Sequence, residues 1–252
     1  MGLSAVLIVK NEAKNIVACL QALAFADEII VVDSGSSDNT VSLAKPLATK
    51  VVFRDFDNFA SQKNYAVSLA TEAWVLSVDA DERVTAELRE EIRWTILLPE
   101  SSDAYKIRRK TNFFGKDFRF SGLQDDAPIR LFRRGKTMFK NPVHEVVVVD
   151  GKTGRLGTTL YHVSFQTIHE YWAKLQLYTT VESKNRQGST KLSRREHFFA
   201  RPFYRFFFIY VIKQGFRDGV EGFLYAVLSG YYEWVRWMKK WEILEGNIDA
   251  NS

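Results

Sequence analysis

Cysteine is nearly absent: Cys19 is the only one in 252 residues. That excludes a disulfide framework and a cysteine zinc cluster, and it points to a reducing compartment. Long apolar runs are missing too, because no stretch reaches the roughly 18–20 uncharged apolar residues that a spanning helix needs. The first residues, Met1-Gly2-Leu3-Ser4, enter an apolar strand without the basic leader of a secretory signal, so the expected location is cytoplasmic. Glycine is missing where a dinucleotide site would require it. The loop after the first strand reads Lys10-Asn11-Glu12-Ala13-Lys14, which cannot let a pyrophosphate approach the backbone as the dehydrogenase fingerprint does. Nor is that loop the Gly-rich, Arg- and Lys-bearing loop of a nucleotidyltransferase. There is no P-loop and no Gly-x-Ser-x-Gly elbow.

What the chain does have is 46% hydrophobic residues, ample for a core, and a formal net charge of +5. With a pI near 9.2, an anionic partner is expected: nucleotide phosphate, an anionic membrane surface or nucleic acid.

The first hundred residues alternate apolar runs with helical spacing. Leu3–Val9 predicts a strand, and Asn11 precedes Ile16, Val17, Leu20 and Leu23 at helical spacing. A second strand from residue 28 ends on Asp33 and gives way to a Gly-, Ser- and Asp-rich turn over residues 34–40. A third strand covers Lys50–Phe53, a helix follows over about residues 58–70 carrying Lys63 and Asn64, and residues 74–78 form a fourth strand. This rhythm predicts a parallel sheet with right-handed crossovers, so Asp33 and Asp79 should share one carboxyl edge. After a helix over residues 85–97 and Pro99, shorter segments at 104–111, 128–133, 143–149 and 156–163 predict mixed or antiparallel strands.

The fourth strand stops on Asp79-Ala80-Asp81-Glu82-Arg83. Two carboxylates leaving a buried strand can present oxygen to Mg²⁺ or Mn²⁺, whose other ligands are usually water and substrate phosphate. Asp81 and Glu82 also suit the first turn of the following helix, and spacing alone does not separate the two roles. A haloacid-type phosphatase is excluded, because Arg83 stands where that site needs Thr or Val.

Taken in order, Ile8-Val9-Lys10-Asn11-Glu12, Asp33-Ser34-Gly35-Ser36-Ser37-Asp38, Gln62-Lys63-Asn64, Asp79-Ala80-Asp81-Glu82, Arg130-Leu131-Phe132-Arg133-Arg134 and Val143-His144-Glu145 resemble the inverting family 2 glycosyltransferases. The similarity is greatest to the bacterial branch that includes the lipopolysaccharide core glucosyltransferases. It implies an α/β fold of GT-A type, a Rossmann-like, mostly parallel central sheet flanked by helices. It also implies a nucleotide-sugar donor, UDP-sugar favoured, and a hexose, glucose favoured, passed to a lipid-linked saccharide. Another cell-envelope glycan is the alternative acceptor, and a catalytically inactive membrane-surface module is the alternative of another class.

The resemblance also implies roles. Glu12 and Asp33 hold base and ribose, Asp79 sits by ribose and diphosphate, and Lys63 steadies the diphosphate or Asp79. Asp81 is the direct ligand of a divalent metal, Mg²⁺ or Mn²⁺, with Asp79 beside it and His162 completing the site. Glu145 takes the place of the base, with Asp126 in reserve, since the commoner Glu-Asp pair is not present. Of Arg133 and Arg134, Arg133 is assigned to donor phosphate. The expected organisation is a catalytic domain over residues 1–165, with a donor half 1–99 and an acceptor half 100–165, and a helical extension over 166–252.

That extension is aromatic and basic from Arg201 to Trp241. Such a mixture suits an interfacial helix on anionic lipid, at the inner face of the membrane where a lipid-linked acceptor would lie, or a helical pair with its rings buried. No nucleic-acid module accompanies it, so nucleic acid is not an expected partner.

Overall fold

The computed structural model describes residues 1–99, 101–141, 146–185 and 196–244. The chain forms two compact units, Met1–Lys110 with Asp126–Val163, and Thr111–Asp125 with Ser164–Ser252.

The first unit opens with β1 (Leu3–Val9), α1 (Ile16–Ala22), β2 (Glu28–Asp33), α2 (Thr40–Ala44), β3 (Lys50–Phe53), α3 (Phe59–Ser68) and β4 (Trp74–Ser77). Then come β5 (Glu82–Val84), α4 (Ala86–Leu97) and β6 (Ala104–Phe113), which runs on into the second unit. β7 (Lys116–Asp117) belongs to the second unit, whereas β8 (Ile129–Arg133), β9 (Thr137–Lys140), β10 (Val146–Val149) and β11 (Thr153–Val163) belong to the first.

The main sheet has the order β3-β2-β1-β4-β8-β6-β11-β5, with β7 on the end of β6, while β9 and β10 form a separate antiparallel ribbon. β3, β2, β1 and β4 pair in parallel. β8 pairs antiparallel with both β4 and β6, and β5 antiparallel with β11. The sheet is therefore mixed, with β3, β2, β1 and β4 as a contiguous parallel part and β8 running against both its neighbours. The change of direction falls where the helical crossovers end, after α4.

Residues of β1, β2 and β4 alternate between two cores, as period-2 geometry requires. Leu3, Ala5, Leu7, Ile29, Val31, Trp74 and Leu76 pack with Leu20 of α1 and Leu88 and Ile92 of α4. Val6, Ile30, Val32 and Val75 pack with Ala60 and Ala66 of α3 on the other face. Burial on both faces explains the uninterrupted apolar runs. Asn58 caps α3 by accepting from Ser61 N at 2.9 Å, and Thr85 caps α4 by accepting from Leu88 N at 3.2 Å. Cys19 is buried in α1, and burial pushes its thiol up to about 12, so it acts as core filler.

The second unit contains α5 (Ile168–Asn185), α6 (Arg201–Phe207) and α7 (Gly219–Leu244). π-type turns flank α6 at Glu196–Ala200 and Phe208–Ile212. Phe113 is buried at its centre, edge-on to Phe118, Phe165, Tyr171 and Tyr225 at 5.2–6.4 Å. Asp218 is buried just before α7 and accepts from Arg119 N, Phe120 N and Ser121 Oγ at 2.8–3.1 Å. Gly222 follows because a Cβ there would stand 2.0 Å from the Gly215 carbonyl oxygen. No helix among the described residues is long and apolar enough to cross a membrane.

Candidate active site

Parallel pairing sets Val9 opposite Asp33 and Val6 opposite Ser77. Glu12, Asp33 and Asp79 therefore leave the sheet at one carboxyl edge, the place where open α/β sheets bind ligands.

The two N-terminal loops at this edge are tied together. Asn11 accepts from Ser37 N at 2.8 Å, Thr40 Oγ1 accepts from Glu12 N at 2.8 Å, and Asp38 accepts from Ala13 N at 3.1 Å. Asn11 has φ 55°, a left-handed conformation that Asn tolerates better than most residues. Asp33 is buried and accepts from Gly35 N and Ser36 N at 3.0 Å and from Ser36 Oγ at 2.5 Å. Its carboxylate thus orders its own turn. Glu12 is half-buried and accepts from Asn15 Nδ2 at 2.7 Å. Gln62, also buried, donates to Ser34 Oγ at 2.9 Å and to the Arg54 carbonyl at 3.0 Å.

Beyond β4 the charges form an alternating ladder. Lys63 Nζ lies 3.3 Å from Asp79 Oδ1, and Arg130 donates to Asp79 Oδ2. The same Arg130 nitrogen is 2.6 Å from Glu82 Oε1, which also receives Arg109 at 3.3 Å. Arg109 Nε donates to Asp126 Oδ2 at 2.7 Å. The other oxygen of Glu82 accepts from Asp79 N at 3.0 Å. Three cations and three carboxylates alternate, so the buried charge is balanced.

Each member is placed by the sheet. Lys63 comes from α3, which Asn64 fixes to β9 through two hydrogen bonds with Phe139, at 2.8 and 2.9 Å. Arg130 precedes Leu131, the partner of Leu76, and so lies where β4 gives way to Asp79. Arg109 comes from β6, the next strand over. Burial pushes the Asp79 carboxyl up, but the charges of Arg130 and Lys63 outweigh it and hold the group well below the usual carboxylate range. For Arg130 burial works against the charge, and the attraction of Asp79 and Glu82 raises it above the ordinary guanidinium value.

Asp81 points elsewhere. Its Oδ2 is 3.5 Å from His162 Nε2, and its carbonyl accepts from Val163 N at 2.8 Å. The antiparallel β5–β11 pairing, which sets His162 opposite Glu82, brings the histidine there. Among the described residues no group of three or more His, Cys, Asp and Glu side chains is arranged to hold a metal. The Asp81–His162 pair fits a divalent ion that takes its remaining ligands from water and phosphate. Asp79, expected beside Asp81 as a ligand, is held by two cations.

Arg133, assigned from the sequence to donor phosphate, lies away from the acids. It pairs with Trp74 at the amino end of β4, stacks 4.6 Å above that ring and donates to Ser101 Oγ at 2.8 Å. It stands three positions along β8 from Arg130 and at the opposite edge from Asp79. The basic partners of the acids are therefore Lys63, Arg130 and Arg109. Asp126 is engaged by Arg109. Glu145 and His144 lie outside the described residues.

Sequence reasoning gave no place in the site to Glu82, Arg130 or Arg109. A signal for Arg130 existed: it interrupts the apolar segment Ile129-Arg130-Leu131-Phe132, and a charge inside a buried strand requires a buried counter-charge.

Residues 4–116 match the model of Glycosyl transferase family 2. An uncharacterized glycosyltransferase of Rickettsia felis is 29% identical over 99% of this chain and 94% of its own length. The lipopolysaccharide core biosynthesis glycosyltransferase LpsC of Rhizobium meliloti is 27% identical over 92% of this chain and 89% of its own. Among solved structures, S. aureus TarS 1-349 in complex with UDP-GlcNAc superposes with a TM-score of 0.50 at 15% identity, covering 98% of this chain and 92% of that one. That likeness is one of fold, the GT-A α/β architecture. Residues 4–116 thus match family 2 of the glycosyl transferases, and nearly the whole chain is similar to glycosyltransferases.

Proposed function

We propose that the protein transfers a hexose, glucose by preference, from a UDP-sugar to a lipid-linked saccharide of the lipopolysaccharide core, with inversion at the anomeric carbon. The observation that carries this is the division of labour at the carboxyl edge: Asp79 is clamped by Lys63 and Arg130, while Asp81 faces His162. The similarity to LpsC supports a core acceptor, and the likeness to a UDP-GlcNAc complex supports a uridine nucleotide.

In this reaction the acceptor hydroxyl attacks the anomeric carbon as the bond to the diphosphate breaks, and UDP leaves. Asp81 and His162 would hold the divalent cation, Mg²⁺ or Mn²⁺, which neutralises charge on the departing diphosphate. Lys63 and Arg130 keep Asp79 ionised and fixed beside ribose and diphosphate, and Glu12 accepts hydrogen bonds from the nucleoside. Glu145 takes the acceptor proton, with Asp126 in reserve. Arg109 binds Asp126 through Nε, which leaves that carboxylate less free to serve.

The test is a donor screen that follows nucleoside diphosphate release with and without purified core saccharide. Release requiring both a UDP-hexose and the acceptor is expected. No acceptor-dependent release with any donor rules the proposal out.

A further inference from the structure

The second unit carries an apolar surface that its own packing leaves uncovered. Phe199, Phe203, Phe207 and Val211 are all exposed and recur at every fourth residue, Phe203 reaching 71%. In a pure α-helix such a row drifts by about 40° per step. Here the wider π-type turns on both sides of α6 reduce the drift and keep the row on one face. The adjoining row, Pro202, Phe206 and Tyr210, is turned to α7: the Pro202 carbonyl backs onto Gly230, and Phe206 and Tyr210 pack edge-on to Phe223 at 5.9 and 5.6 Å.

α7 has a matching stripe. Val220, Val227, Trp234 and Trp241 are exposed and spaced by seven, and therefore lie along one side of the helix. The two helices run side by side in opposite directions, since residue 202 meets 230 and residue 210 meets 223.

Charge favours one occupant. Between residues 199 and 244 seven Lys and Arg stand against four Asp and Glu, and one of the four, Asp218, is buried and fully engaged by hydrogen bonds. Arg205 and Arg217 are exposed in the same unit, and Arg217 covers the Phe120 ring at 4.1 Å. Exposed Phe and Trp beside cations suit the headgroup region of a bilayer, where rings enter the acyl boundary and cations meet phosphate. A second protein copy would bring the same positive charge to the same face. No helix among the described residues is long and apolar enough to cross the bilayer, and the proposed contact is along the surface.

We infer that the α6–α7 face, centred on Phe203 and Phe207, docks this protein on an anionic lipid surface. The inference deepens the proposed function, resting on its lipid-linked acceptor for its purpose though not for its test.

The test is flotation of the full chain with vesicles of phosphatidylcholine containing phosphatidylglycerol, and with phosphatidylcholine alone. Phe203→Glu/Phe207→Glu is compared with the parent, and circular dichroism checks that both fold. The expected result is flotation with the anionic vesicles, weaker flotation with the neutral ones, and a drop of roughly tenfold or more in lipid partitioning for the double variant. Equal flotation of parent and variant overturns the inference, as does equal binding to both lipids. A parent dimer in the absence of lipid that the variant abolishes overturns it in favour of self-association. Transfer to a delipidated core saccharide, measured in parallel, separates the two proposals: a variant that no longer floats should still transfer to it. A parent that floats yet transfers to no acceptor counts against the proposed function alone.

Discussion

Arg130 and Glu82 meet at 2.6 Å with both side chains out of solvent, 5% and 0% exposed, and each also holds Asp79, one by its carboxylate and the other by its amide. The pair joins β8 to β5 and fixes the acid that the proposed chemistry depends on.

Removing one member should cost far more than removing the pair. Arg130→Ala leaves two carboxylates without their shared cation and is expected to destabilise the protein by about 3–5 kcal/mol. Arg130→Met combined with Glu82→Leu should cost less than the sum of the two single changes. Urea unfolding of the four proteins of the cycle measures both quantities, and additive costs contradict the coupling.

The acid limb of stability should depend on Asp79. Its carboxyl is lowered in the folded protein by Arg130 and Lys63 despite the opposing effect of burial. A lowered group contributes stability above its unfolded value, about 3.9 for Asp, and loses it as pH falls towards the folded value. Wild-type stability should therefore decline from about pH 4 downward, and Asp79→Asn should flatten that decline while being less stable at pH 7. Thermal unfolding between pH 2 and 7 is the check.

Much of this was legible in the sequence. The apolar runs of β1, β2 and β4 identify doubly covered strands, and parallel pairing then places Asp33 and Asp79 at one edge without further information. The ladder was not legible, because it depends on β8 returning after about fifty residues to lie against β4, a register set by long-range pairing. β5 spans only Glu82–Val84, too short for any periodicity, and reads locally as the start of the next helix. Residues 111–125 join the C-terminal helices through Phe113 and Phe118, whose partners lie far along the chain.

Arg133 and Arg130 differ by three positions and should differ in kind. Arg133→Ala removes a cation stacked on Trp74, worth about 0.5–1 kcal/mol at a partly exposed site, and should leave UDP affinity unchanged. Lys63→Met should weaken UDP binding about tenfold or more, through the loss of charge beside Asp79. Calorimetric titration of both variants with UDP and Mn²⁺ distinguishes the two positions, and a weakened Arg133→Ala would restore that residue to the donor site.

The base assignment predicts separation of binding from turnover. Glu145→Gln should lower kcat by about 10²-fold or more, as loss of a general base does, with UDP affinity retained. If Asp126→Asn gives that pattern and Glu145→Gln does not, Asp126 is the base. Asp126→Asn should otherwise act through Arg109 and lower stability.

The central claim is that Asp81, with His162, holds the divalent cation at the diphosphate, while Asp79 serves in the ion ladder. Its most direct measurement is Mn²⁺-dependent UDP binding and sugar transfer by Asp81→Ala, alongside a melting curve. The account predicts a folded protein whose UDP affinity no longer responds to Mn²⁺ and whose transfer is lost. A folded Asp81→Ala protein that keeps metal-dependent binding and parental turnover would contradict it.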